Sequence, residues 1–356
     1  MSSSFNNILY IGPDHKNHRG GIGAVLSIYS KSIAPFNFIP TLSYKNKFYE
    51  LFFFAGSLLK VVIALLTNWK IKIVHIHGAK EGSIMRKFVI GFIARKIFGK
   101  KIIFHIHAGG FDEYFDRGGK FYRYMCRFLV NNSEALVVLS ERWNEFFAKN
   151  FKVKKLIVIK NPVEHKTVRP VVQAKDSSIV TFLFLGRIAD HKGIFDLIDL
   201  VIAEQADLRG KCKFLIGGNH EVDRLKKAIT DGGIEDMAEY IGWVQHEEKD
   251  HYLSSCDYFI LPTYEEGMPM TILEAFSFGK PVITTPVGSI PEVVEHNKNG
   301  ILFNPGDMVQ LKRILFEVIN DRSGYAAMRN NAMNAAVSYY PESIKQELEK
   351  LYSEIA

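Results

Sequence analysis

The stretch Asp257 to Ile283 constrains this chain more than any other. Asp257-Tyr258-Phe259-Ile260-Leu261-Pro262 is an apolar run of the length of a buried strand, and Thr271 to Phe278 carries its apolar residues at a helical period. Val282 and Ile283 return to a strand pattern, so the order is strand, turn, helix, strand. In the turn, Gly267 lets the backbone approach a ligand, and Pro269 stands where a first helical turn tolerates a missing N–H. The free N–H groups there face whatever lies in front of the turn, a site suited to hydroxyls or an anion. Glu266 lies in the turn and Glu274 one to two turns into the helix. Carboxylates so spaced accept hydrogen bonds from vicinal hydroxyls, which sugars and riboses supply and phosphates do not. The bland alternative is a pair of solvated acids at a helix end.

The run Glu266-x7-Glu274, followed by Ala275 and Gly279-Lys280-Pro281-Val282, resembles the signature of the retaining glycosyltransferases of family 4, which have the GT-B fold. The resemblance implies that Glu274 holds the ribose of a sugar nucleotide and that Glu266 lies beside the donor sugar and phosphates. It also implies donor contacts at Gly267, Met268 and Thr271. One departure stands out: many members have Gly-Phe-Gly after the first Glu, whereas this chain has Gly267-Met268-Pro269. Pro269 has no N–H to offer a sugar hydroxyl, which bears on which sugar is moved.

At 356 residues the chain suits two domains. Residues 1–165 carry 25 Lys/Arg against 10 Asp/Glu, and the remainder 20 against 28. A basic half suggests an anionic partner, and without aromatic-and-basic nucleic-acid motifs the expectation is a membrane surface or a phosphate-linked acceptor, not nucleic acid. Cys126, Cys212 and Cys256 lack metal-like spacing and read as buried hydrophobes in a reducing compartment. The first residues lack a signal-peptide pattern, so the expected location is cytoplasmic, peripheral on the inner face of the cell membrane.

Along the first half, Asn7 to Ile11 is a short strand. A loop with Gly20, Gly21 and Gly23 follows, then a helical period through Val25, Leu26, Ile28 and Tyr29. This is the opening unit of a Rossmann-like domain, but the glycines do not satisfy G-x-G-x-x-G, which argues against a dinucleotide and against a nicotinamide-dependent oxidoreductase. In the resembled family a Gly-Gly pair here approaches the donor diphosphate, and Gly20 and Gly21 match it. Leu51 to Leu66 is apolar but short for a membrane span and interrupted by Lys60. The default is a helix packed on the sheet; the alternative is an interfacial helix with Phe52, Phe53 and Phe54 entering lipid. Ile71 to Ile76 and Lys101 to Ile106 read as parallel strands around a helix from Gly82 to Phe98. His105 and His107 share a face at the carboxyl end of the second; no third ligand is placed locally, so no metal is expected. The resemblance implies that His107 reaches the donor sugar. Ala135 to Leu139 and Lys155 to Ile159 read as further strands, with a helix capped by Ser140 between them.

The second half opens with the apolar strand Ile179 to Leu185, then Gly186-Arg187-Ile188-Ala189-Asp190-His191-Lys192-Gly193. Arg187 and Lys192 can converge across a turn at a strand's carboxyl end, and the family's Gly-Arg…Lys-Gly motif implies that they hold the diphosphate as it leaves. Tyr240-Ile241-Gly242-Trp243 resembles the segment whose backbone contacts the nucleobase. The expected fold is therefore α/β of the GT-B type, two Rossmann-like domains with parallel sheets facing a central cleft. The domains are 1–164 on the acceptor side, 165–338 on the donor side, and a C-terminal helix, 339–356, crossing back to the first. The expected function is metal-independent transfer, hexosyltransferase-type, from a nucleoside-diphosphate sugar to a glycan or lipid-linked acceptor, with no cofactor. The alternative is a catalytically silent nucleotide-sugar binder at the membrane surface.

Overall fold

Apolar runs broken by glycine build two six-stranded sheets, and every strand pairing in them is parallel. The computed structural model describes residues 5–16, 21–43, 46–107, 109–166 and 179–356. The chain divides into two units, Met1–Val163 with Tyr339–Ala356, and Glu164–Ser338.

Unit 1 runs β1 (Ile8–Gly12), α1 (Gly21–Ser32), β2 (Phe38–Pro40), α2 (Lys47–Thr67), β3 (Ile73–Gly78), α3 (Gly82–Phe92), a π-helical turn (Ile93–Ile97), β4 (Lys101–Ile106), α4 (Phe111–Arg117), α5 (Lys120–Asn131), β5 (Ala135–Val138), α6 (Trp143–Asn150) and β6 (Leu156–Val158). Its sheet order is β2-β1-β3-β4-β5-β6. Alternation along the strands divides their side chains between two faces. Val74, Ile76, Ile102, Phe104 and Ile106 join a core with Val61, Leu65, Ile90 and Leu129 of the covering helices. His75, His77, His105 and His107 take the opposite side. Two expectations need correction. Helix α6 starts at Trp143 with no side-chain cap, and Ser140 Oγ accepts from Arg142 N (3.3 Å) in a preceding turn. Helix α2 begins earlier than the apolar run, where Asn46 Oδ1 caps Tyr49 N (2.9 Å). It also packs on the sheet by one narrow side only, Ser57, Val61 and Leu65 being its buried residues.

Unit 2 runs β7 (Val180–Ile188), α7 (Ile194–Ala203), α8 (Gln205–Leu208), β8 (Cys212–His220), α9 (Val222–Asp231), β9 (Ala238–Gly242), α10 (His246–Ser255), β10 (Tyr258–Leu261), α11 (Met270–Ser277), β11 (Val282–Thr284), β12 (Gly300–Leu302), α12 (Met308–Asn320) and α13 (Tyr325–Ala336). Its sheet order is β12-β11-β10-β7-β8-β9. The last helix, α14 (Pro341–Ile355), belongs to unit 1, where Tyr352 Oη meets His75 Nδ1 at 2.6 Å.

Candidate functional site

In unit 2, β7, β8 and β9 are laid down in one direction and β10, β11 and β12 in the other, so the strand order reverses between β7 and β10. Open α/β sheets bind ligands at the carboxyl ends of the strands at such a point. The two loops that leave β7 and β10 meet there. Gly193, at φ +67°, lies so close to Pro262 that a Cβ would come 1.9 Å from the Pro262 carbonyl oxygen. This contact brings His191 O within reach of Tyr264 N (2.9 Å) and Thr263 Oγ1 (3.1 Å). It also carries Lys192 over the second loop, where Nζ donates to Glu265 O (3.1 Å) and Glu266 Oε1 (2.5 Å). From the other side Gly288, at φ +61°, abuts the Glu266 carbonyl, and Ser289 N donates to Gly267 O at 3.0 Å.

Lys192 and Glu266 are 16% and 14% exposed, so their charges are largely withdrawn from water. Burial pushes the Glu266 carboxyl up and the Lys192 ammonium pulls it back, with a net upward shift. Arg187 lies one residue before the end of β7 and is exposed, and no hydrogen bond or ion pair holds its side chain among the described residues. A phosphate arriving here would meet a cation with no competing partner. By helix geometry the N–H groups of Met270 and Thr271 at the start of α11 have no intrahelical acceptor. Glu274, 17% exposed on its side chain, pairs with Lys249 of α10 at 2.6 Å. At the end of β9, Gly242 has φ +89°, and the next residue, Trp243, is 43% exposed. Gly186 is half-buried within β7 beside Gly218. Met268 is buried, 6% exposed, so any ligand contact at that residue falls to its backbone.

In unit 1, Gly21 opens α1, while Gly20 lies outside the described residues. His107, just past β4, has both ring nitrogens engaged, Nε2 with His77 Nδ1 (2.9 Å) and Nδ1 with Asn161 Oδ1 (3.2 Å). It is the end of a column: His105 stacks on His107 at 4.0 Å between centroids and His75 on His77 at 4.3 Å. Burial lowers all four imidazoles, His75 to about 3, His107 to about 4, His77 and His105 well below the usual value, so they are neutral at pH 7. His75, His77 and His105 each have a ring nitrogen within 4.8 Å of the others. However, these rings lie within 16° to 35° of parallel. Lone pairs in near-parallel planes do not meet at one point at a bonding distance of about 2 Å. No metal is assigned to them.

The chain matches the family described as Glycosyl transferases group 1 over residues 166–335, and that described as Glycosyltransferase Family 4 over residues 30–167. This chain belongs to glycosyltransferase family 4. The amylovoran biosynthesis glycosyltransferase AmsK of Erwinia amylovora is 28% identical over 200 residues, 53% of this chain and 48% of that one, so the match spans about half the relative's length. In structure, sucrose-phosphate synthase from Thermosynechococcus elongatus superposes with a TM-score of 0.80 at 16% identity, covering 98% of this chain and 99% of that one. HepE from Anabaena, in complex with UDP-glucose, gives 0.76 at 20% identity, covering 98% and 99%. The fold is GT-B.

Within this family 4 chain, sequence spacing missed Lys249, Asn161 and the two histidines of β3. Lys249 stands 25 residues before Glu274 on another helix, and nothing local links them. The histidines did leave a signal: His-x-His occurs twice, at 75–77 and 105–107, on strands that register His77 against His105. By contrast Lys280, inside the signature, is buried with Nζ donating to Ser254 O (2.9 Å) and Cys256 O (2.7 Å), a structural role.

Proposed function

We propose that this chain transfers a glycosyl group from a nucleoside-diphosphate sugar to a glycan or lipid-linked acceptor, with retained anomeric configuration, in the assembly of a cell-surface polysaccharide or glycolipid. The observation that carries the reading is an exposed Arg187, unpartnered among the described residues, near the end of β7, with the largely buried Lys192–Glu266 pair formed from the loop that follows, at the strand reversal of unit 2. Departure of the diphosphate builds negative charge; Arg187, Lys192 and the N–H groups at the start of α11 lie where that charge would be stabilised. The bond from the anomeric carbon to the phosphate oxygen breaks, the acceptor oxygen bonds to that carbon on the same face, and its proton passes to the departing phosphate. Glu274 holds the ribose, with Lys249 yielding one carboxylate oxygen; Gly242 and Trp243 border the base; His107 positions the sugar by exchanging one of its present partners. The HepE complex with UDP-glucose supports a nucleotide-sugar donor, and the name of AmsK supports a polysaccharide context. Three free, buried cysteines are consistent with a cytoplasmic setting.

A thermal-shift screen against UDP, GDP, ADP and CMP sugars is the first test, since a bound ligand raises apparent stability by mass action. One of them should raise the melting temperature, and the same compound should be turned over, at a rate that excess EDTA leaves unchanged. Stabilisation without hydrolysis or transfer would establish the silent binder instead. Stabilisation by NAD alone would abandon both readings, and loss of turnover in EDTA would remove metal independence.

A further inference from the structure

Helices α2, α3 and α5 of unit 1 cover one face of its sheet, and their inner sides, among them Val61, Leu65, Ile84, Ile90, Met125 and Leu129, complete the core. Their outer sides are apolar as well. Along α2, Phe48, Leu51, Phe52, Leu59, Ile63 and Leu66 are between 48% and 74% exposed and fall at steps of one, three, four and seven residues, one stripe of a helix. Trp69, just past its end, is 80% exposed. Helix α2 touches α3, and Phe88 on α3 carries the surface on to α5 through Phe121 (6.4 Å between centroids) and Tyr124 (5.8 Å). Met85, Phe92 and Ile97 widen it. A soluble surface seldom leaves so much contiguous apolar area open without a partner.

Charge identifies the partner. Glu50 is the only acidic residue in the three helices, and it is occupied by Ser43 N at 3.1 Å. Lys60, Lys96, Lys120 and Arg127 are exposed on the same helices and turn. A second copy meeting this face about a two-fold axis would set cations against cations. A bilayer with anionic headgroups takes both kinds of side chain: rings and aliphatic chains enter the acyl boundary, while lysines and arginines meet phosphates. Phe48–Thr67 has the length and apolarity to cross a bilayer. Yet Val61 is 0% and Leu65 4% exposed in the core, so the helix lies along the unit and has only one side to give.

We propose that the outer face of the α2, α3 and α5 layer is a docking surface for an anionic phospholipid bilayer, which α2 enters lengthwise at the interface without spanning it. The surface does not depend on the glycosyl-transfer reading: a chain with an inactive donor site would dock equally well. The test is co-sedimentation of the full chain with phosphatidylcholine vesicles, with and without phosphatidylglycerol, at low and high salt. Partitioning should rise at least about tenfold with the anionic lipid and fall with salt. Brominated acyl chains should quench fluorescence that Trp69→Phe removes. Phe52→Ser/Leu66→Ser and Lys60→Glu/Lys120→Glu alter exposed side chains only, and each should weaken partitioning at least about tenfold at an unchanged melting temperature. Equal binding with and without anionic lipid, or folded variants that bind as the parent does, would overturn the proposal. Resistance to alkaline carbonate extraction would overturn it in favour of a spanning helix. A light-scattering dimer that the same substitutions dissociate, with no vesicle binding, would overturn it in favour of self-association.

Discussion

Acidified from pH 7.5 to pH 5, unit 1 is expected to lose most of its stability. Its four stacked histidines are held below the usual imidazole value, first by burial and, for His75, His77 and His105, then by neighbouring imidazoles, while Asn161 partly offsets the burial of His107. In the unfolded chain they bind protons as the pH falls through about 6.5, while the folded state still excludes them. A lowered folded value gives stability that is fully present above the unfolded value and is withdrawn as the pH drops. Each imidazole contributes about 1.4 kcal/mol per pH unit to that loss, and four together remove about 8 kcal/mol between about pH 6.5 and pH 5, comparable with the whole margin of an ordinary domain. The other groups around the column do not reverse this. Burial keeps Tyr10, Tyr29 and Tyr352 neutral, Lys87 is itself depressed by burial, and of the facing groups only the solvent-exposed Glu347, raised by partial desolvation, works in the opposite sense. Urea midpoints at pH 7.5, 6.5 and 5.5, with proteolytic fragments assigned to each unit, would measure it. His105→Phe, which replaces an imidazole with no hydrogen-bond partner by an apolar ring, should flatten the slope by about a quarter at no cost to stability at pH 7.5. A midpoint constant across that range would refute the account.

Arg187→Ala and Lys192→Met should both abolish most transfer but differ in what else they break. Loss of one group that stabilises developing charge lowers kcat by about 10²–10³. Arg187 is exposed and its side chain holds nothing among the described residues, so its loss should leave the melting temperature where it was. Lys192 neutralises Glu266 in a largely buried pair. Removing one partner of such a pair costs about 3–5 kcal/mol when it is fully enclosed, and the remaining exposure places this one near the lower end. The stranded carboxyl should then shift still higher, so that Lys192→Met is less destabilised at pH 5 than at pH 8. Adding Glu266→Leu should restore stability without restoring turnover. If Arg187→Ala retained parental kcat, or if the double variant were active, the two cations would not act as proposed.

The two loops that meet at the strand reversal of unit 2 could be read from sequence because the residues that build them are close in the chain. Arg187 and Lys192 flank one turn, Glu266 and Glu274 belong to one turn and its helix, and Gly193, whose conformation admits Lys192 to the second loop, is its chain neighbour. Most strands of the parallel sheets were legible for the same reason, being short apolar runs, several of which, such as β1, β3, β9 and β10, are closed by glycine or proline. What escaped was set by tertiary contact. Strand β2 has three residues, too few for alternation to register, and is held by its pairing with β1. Helix α2 was bounded too tightly because Lys47 and Glu50 fall outside the apolar run, yet Asn46 starts the helix before them. The pairing of Lys249 with Glu274, and that of His107 with Asn161, depend on how separate elements pack, which periodicity does not record.

The chain leaves unit 1 after Val163 and returns to it at Tyr339. During synthesis the intervening unit is therefore complete, and able to mature, while the sheet translated before it still lacks its closing helix. Until α14 emerges, His75 has no tyrosine hydroxyl over it, and the apolar side of α1 that α14 covers stands open to water. The first half to be made is the last to be sealed, which gives a holdase its longest opportunity on the half that also bears the exposed aromatic helix.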